Sequence, residues 1–168
     1  MFSNIEKARS EALRKAQKFC STSQSLPLLG WGVSGFVFLS LDLRTAIKVH
    51  HTREAFNTEL SAYRILKQHN LMMLHGLTIP VLRHFDLSLH LIEIDFVRPP
   101  YLLDFAGVKF RDPEFSADTM TSIHADIEER FGHRSDIAYA VYHDLRRLGI
   151  YYLDLRQSNL NLEGLPEV

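Results

Sequence analysis

Gly30, Gly32 and Gly35 stand at G-x-G-x-x-G spacing in Leu29-Gly30-Trp31-Gly32-Val33-Ser34-Gly35-Phe36-Val37, and Lys48 follows inside the apolar run Ala46-Ile47-Lys48-Val49. Glycine lets a backbone turn sharply and brings N–H groups up to a ligand with no Cβ in the way. Phosphates are the usual ligand of such a loop. On a strand, Lys48 shares a face with Ala46, so its ammonium must snorkel outward or meet an anion. A nucleotide phosphate is one such anion and a helix carboxylate is another. Glu59 offers the carboxylate. In helical register it falls on the stripe of Phe56, Leu60 and Tyr63, whereas Glu54 falls on the opposite side. A carboxylate on an apolar stripe is costly unless it is paired. The plainer alternative is a stripe-edge glutamate reaching water.

The elements around these residues narrow the choices. A dinucleotide-binding loop must open a helix, but Phe36-Val37-Phe38-Leu39 reads as a strand. Arg44 to His50 reads as a second strand, with a turn at Leu41-Asp42. A P-loop would need Gly-Lys-Ser/Thr after the loop. A nucleophile elbow around Ser34 would need a glycine where Phe36 stands. A hairpin that uses its glycines only to turn remains the structural alternative. Residues 53–68 read as a helix, and two more helices span about 116–131 and 135–148, stopped by Gly132 and Gly149. Val81–Phe85 and His90–Phe96 read as strands. Residues 101–115 read as irregular, and Leu71–Leu74 with Leu77–Ile79 as packing, with Met72 and Met73 as gap-fillers.

After Gly149 comes Tyr151-Tyr152-Leu153-Asp154-Leu155-Arg156-Gln157-Ser158-Asn159. Taken alone, D-x-x-x-x-N is common and fits a turn whose side chains cap backbone N–H groups. Taken in order with the glycine loop, the strand lysine and the helix glutamate, it makes the sequence resemble the protein kinase superfamily over residues 27–162. The resemblance implies an α+β, protein kinase-like fold. An antiparallel N-lobe sheet with one helix would precede a truncated, mainly helical C-lobe. It divides the chain into an N-terminal helix and linker (1–25), an N-lobe (26–97) and a C-lobe with the catalytic loop (98–168).

The same resemblance implies ATP and Mg²⁺ and gives each residue a role. Gly30, Gly32, Gly35 and Val37 would form the phosphate-covering loop. Lys48 would neutralise the phosphates and Glu59 would orient Lys48. The backbone of Asp95 to Val97 would meet the adenine edge, with Ile94 behind it. Asp154 would accept the substrate hydroxyl's proton, and Asn159 would ligate the metal. The implied activity moves the ATP γ-phosphate to a protein or small-molecule hydroxyl. The alternative is a catalytically inactive pseudokinase that binds nucleotide or a partner.

Departures from the family pattern bear on which of these holds. Tyr152-Leu153 replaces the His-Arg before the aspartate. The chain reaches Val168 before the position expected for the metal-binding Asp-Phe-Gly, as either a fragment or a minimal kinase-like protein. Asp104-Phe105-Ala106-Gly107 is similar to that motif but precedes the catalytic segment, and reads as a chance match.

Composition sets the remaining bounds. With 168 residues, 46% apolar content and a formal charge of −1, the chain can bury a core, and nothing in it points to nucleic acid. The first 20 residues carry five Lys/Arg against two Glu. Residues 3–19 read as a helix with a solvated basic face, or one that meets a partner or an anionic membrane. The single cysteine, Cys20, excludes an intrachain disulfide and fits a reducing, cytoplasmic setting. No run reaches transmembrane length. Nine scattered histidines show no zinc-like spacing and read as surface or satisfied core residues. The oligomeric state is left open.

Overall fold

A computed structural model describes residues 2–166. Its elements run α1 (Phe2–Phe19), β1 (Leu28–Trp31), β2 (Gly35–Leu39), β3 (Thr45–His50), α2 (Arg53–Gln68), β4 (Met73–Leu74), β5 (Leu77–Thr78), β6 (Leu82–Asp86) and β7 (Leu91–Asp95), then β8 (Tyr101–Leu102), α3 (Ala117–Phe131), a 3₁₀ turn, α4 (Ser135–Arg147) and β9 (Leu160–Asn161). They form two compact units, Met1–Arg64 with Pro80–Phe96 and Ile65–Ile79 with Val97–Val168. Among the described residues, no helix is long and apolar enough to cross a membrane.

The first unit is an antiparallel five-stranded sheet in the order β1-β2-β3-β7-β6. Strand alternation divides its residues. Phe36 lies opposite Val49 and Phe38 opposite Ile47. These four join Leu91 and Leu26 in a core closed by Ala12 and Ala16 of α1. The two alanines let the helix backbone sit close to the large side chains. Each fully buried Phe, Ile or Leu contributes about 1.5–3 kcal/mol, so this face anchors the sheet. The alternate register, Gly35 opposite His50, Val37 opposite Lys48 and Leu39 opposite Ala46, points to the other face. The turn before β3 is made by Ser40, whose hydroxyl donates to Asp42 Oδ1 (2.6 Å) and accepts from the Thr45 N–H (3.0 Å).

The second unit contains a small sheet in the order β4-β5-β8-β9 and the pair α3 and α4. Ser116 caps α3 by accepting from the Thr119 N–H (3.2 Å). Ile127 and Phe131 of α3 and Val141, Tyr142 and Leu145 of α4 are buried. Gly149, at φ +75°, follows the end of α4, where a side chain would be strained.

Two expectations are corrected here. Met72 and Met73 do not fill gaps: they are 60% and 62% exposed, Met73 on the edge strand β4 and Met72 just before it. Tyr101-Leu102 is not irregular. It pairs with β5 in parallel and with β9 antiparallel. Two residues carry no readable alternation, and their partners come from residues 77–78 and 160–161, so only the assembled unit defines the strand.

Candidate functional site

The first unit gathers two nitrogen-bearing side chains on one carboxylate oxygen. Glu59 Oε2 lies 2.7 Å from Lys48 Nζ and 2.7 Å from His50 Nε2. Period two sets Lys48 and His50 on the same face of β3. The helical period sets Glu59 on the buried stripe of α2 with Phe56, Leu60 and Tyr63. The side chains of Lys48, His50 and Glu59 are only 7%, 0% and 1% exposed. Burial pushes the Glu59 carboxyl up, but the Lys48 ammonium and the His50 hydrogen bond outweigh it, and the pKa falls to about 2. His50 is fixed at its other end, where Nδ1 lies 3.2 Å from the His90 carbonyl oxygen. The Phe56 ring packs edge-on against the imidazole, with centroids 5.7 Å apart.

The glycine loop joins β1 to β2, and its three glycines are not equivalent. A Cβ on Gly35 would lie 2.1 Å from the Val49 carbonyl oxygen, so the approach of β3 requires glycine there. A Cβ on Gly30 or Gly32 would meet nothing within 4 Å. The turn closes through the Gly32 N–H, which donates to the Gly35 carbonyl (3.0 Å). His51 ties it down twice. Its backbone N–H donates to Ser34 O (3.0 Å), and its Nε2 lies 3.1 Å from Gly32 O. Val37 is half-buried beside Lys48 in the register.

At the end of β7, the Asp95 N–H donates to Val81 O (3.1 Å) and the Phe96 N–H to Arg44 O (2.9 Å). Both donors are therefore used within the unit. The Asp95 carboxylate holds the Arg83 guanidinium through both oxygens. Val97 begins the other unit's second segment.

The second unit holds Asp154 and Asn159. The Asn159 amide Nδ2 donates to the Asp154 backbone carbonyl (3.3 Å) and to Asp154 Oδ2 (3.2 Å). This is a turn closed by asparagine onto aspartate, not two side chains capping N–H groups. Arg156 Nε donates to Asp154 Oδ1, and this bond holds the guanidinium pKa above its ordinary value. The loop is anchored by the Leu103 N–H, which donates to Asn159 O (2.7 Å), and by Gln157 Nε2, which donates to Arg130 O (2.8 Å). Tyr152 is fully buried, donates its hydroxyl to Leu103 O and packs on Phe105 at 5.3 Å between centroids. Asp104 follows Leu103 directly, at φ +59°. Thus Asp104-Phe105 adjoins the Asp154 loop through β8 and β9 pairing, although it precedes that loop in sequence.

For Mg²⁺, oxygen donors are the right chemistry. Asn159 Oδ1 and the Asp154 carboxylate are of that type, so the residues fit part of a magnesium shell. Nucleotide phosphates and water would have to supply the rest. Among the described residues, no group of three or more His, Cys, Asp or Glu is arranged to hold a metal.

Sequence reasoning missed His50 and His51 as parts of the site. The signal for His50 was available, since position 50 repeats the face of positions 46 and 48. No sequence signal marks His51, because its role depends on where the loop returns.

No known protein family matches the chain. No curated protein matches it either. Among solved structures, it is similar to the ternary complex of the aminoglycoside phosphotransferase APH(2")-IIa with streptomycin and ATP, at 14% identity and a TM-score of 0.39. The similarity covers 71% of this chain and 39% of that one, so the chain spans about two fifths of that protein's length.

Proposed function

We propose that the chain is a kinase-like ATP-binding protein that transfers the γ-phosphate to a protein or small-molecule hydroxyl. The observation that carries this is the buried pairing of Lys48 with Glu59, in register with Val37 on the strand leaving the glycine loop. A buried lysine held by a helix glutamate beside such a loop is the arrangement phosphoryl transfer uses to grip phosphates.

In this assignment Gly30, Gly32 and Gly35 cradle the phosphates, and Lys48 neutralises them while Glu59 fixes its direction. The backbone of Asp95 to Val97 receives the adenine edge. With the Asp95 and Phe96 N–H groups already used, the donor there is the Val97 N–H. Asp154 accepts the hydroxyl proton, and Asn159 offers Oδ1 to Mg²⁺. The ion's contribution is to neutralise charge on the phosphates.

A second reading, a nucleotide-binding pseudokinase, is favoured by Arg156. Its guanidinium holds Asp154 Oδ1 while Asn159 holds Oδ2, so both oxygens already accept hydrogen bonds.

Calorimetry of ATP and adenosine binding, with and without magnesium, tests both. Phosphotransfer predicts magnesium-dependent ATP binding, and Lys48→Ala weakening ATP far more than adenosine. Equal losses would remove the phosphate role of Lys48. Magnesium-independent binding would select the pseudokinase, and no binding at all would reject both.

A further inference from the structure

We infer that a cleft in the second unit, between the end of α3 and the chain after Asn159, binds a small molecule through a phosphate group. The cleft has a volume of about 320 Å³, a size that suits a small ligand. Arg130, on the last turn of α3, and Arg134, on the 3₁₀ turn that follows, both line it. Each guanidinium is held by backbone carbonyls of the 155–165 segment. Arg130 Nη1 donates to Leu155 O (3.2 Å), and Arg134 donates to Leu162 O (2.9 Å) and Leu165 O (3.0 Å). A carbonyl fixes a guanidinium without neutralising it. These bonds use one N–H of Arg130 and two of Arg134, and leave further donors on both. Among the described residues, no carboxylate pairs with Arg134. Arg130 has Asp126 at 3.6 Å, an exposed pair that solvent screens.

Two cations held in place with spare donors suit a dianion, and the planar guanidinium fork fits phosphate. Phe131 and Leu160, both buried, line the cleft beside the arginines and would meet an organic group on that phosphate. Glu163 also lines it, and its charge opposes an anion. The ligand chemistry is therefore a phosphate, free or esterified. Gln157 lines the cleft and Leu155 accepts from Arg130, so the wall is part of the loop that carries Asp154. On the phosphotransfer reading, that loop would hold an acceptor bearing its own phosphate. The binding itself does not rest on that reading.

Calorimetry and NMR on the full chain test it, with inorganic phosphate, phenyl phosphate and acetate as probes. Both phosphates should bind and should shift the side-chain N–H resonances of Arg130 and Arg134. Tighter binding of phenyl phosphate makes an ester the ligand, and equal affinities make it free phosphate. Acetate should bind more weakly than either, and equal binding of acetate overturns the assignment to phosphate. Arg130→Gln should weaken both phosphates about 10- to 100-fold. Glu163→Gln should tighten them. Both side chains are exposed, so neither substitution should disturb folding. Phosphate binding that survives Arg130→Gln unchanged lies elsewhere and overturns the inference. An unchanged affinity in Glu163→Gln counts against it, and no binding of either phosphate rejects it. Phosphate binding in the cleft of a chain that binds no ATP would sustain this site and reject the nucleotide assignment alone.

Discussion

The candidate groups of the two units are held in opposite ways. Lys48, His50 and Glu59 are nearly sealed from water. Arg156 and Asp154 are 62% and 38% exposed. In the first unit, Coulomb energy and desolvation are both large, so the geometry of the cluster is bound up with folding. In the second, solvent screens the pair and leaves little stability in it. A buried cluster is fixed in advance and expensive to disturb. An exposed pair can be rearranged at low cost.

Breaking the buried side should give the largest effect. Glu59→Leu leaves Lys48 buried without its carboxylate and should cost about 3–5 kcal/mol in urea unfolding. The wild-type pH profile sharpens the point. The folded carboxyl sits at about 2 against an ordinary 4.5, so its contribution is complete above pH 4.5 and lost as pH falls toward 2. Glu59→Gln should flatten that limb, and an unchanged limb would remove Glu59 as its source.

The glycine loop gives an intermediate effect. Gly35→Ala drives a Cβ into the Val49 carbonyl and should cost about 1–3 kcal/mol. Gly30→Ala and Gly32→Ala meet open space and should leave unfolding nearly unchanged; if the loop holds nucleotide as proposed, they should act on ATP affinity instead. Equal destabilisation at all three positions would make the loop a purely structural turn.

The smallest stability effect belongs to the exposed pair. Arg156→Gln should change unfolding by at most about 1 kcal/mol. If transfer is the function, Asp154→Asn should abolish turnover at nearly unchanged ATP affinity. A large stability loss in either variant would show that the second unit depends on its charges as the first does.

Much of this was legible in the residues. The individual strands and helices were marked by their residue runs and turn residues, the α+β class and antiparallel sheet were what the resemblance implied, and Glu59 was marked out by standing on an apolar helix stripe where a lone carboxylate is costly. The similarity of Asp104-Phe105 to a later motif was also visible, but the pairing that brings it beside Asn159 was not. Hydrogen bonding between β8 and β9 joins residues far apart in sequence, and each strand is too short to carry a pattern.

What the sequence determined by itself is the spacing: which side chains share a strand face or helix stripe, and hence that Lys48 and Glu59 each needed a partner. Local periodicity sets these directions before any tertiary contact forms. Tertiary structure alone decided that His50 takes the same oxygen as Lys48, that Gly35 is the glycine the sheet requires, and that Arg156 holds Asp154. Each depends on a distance of a few ångströms between elements, and periodicity carries no information about those distances.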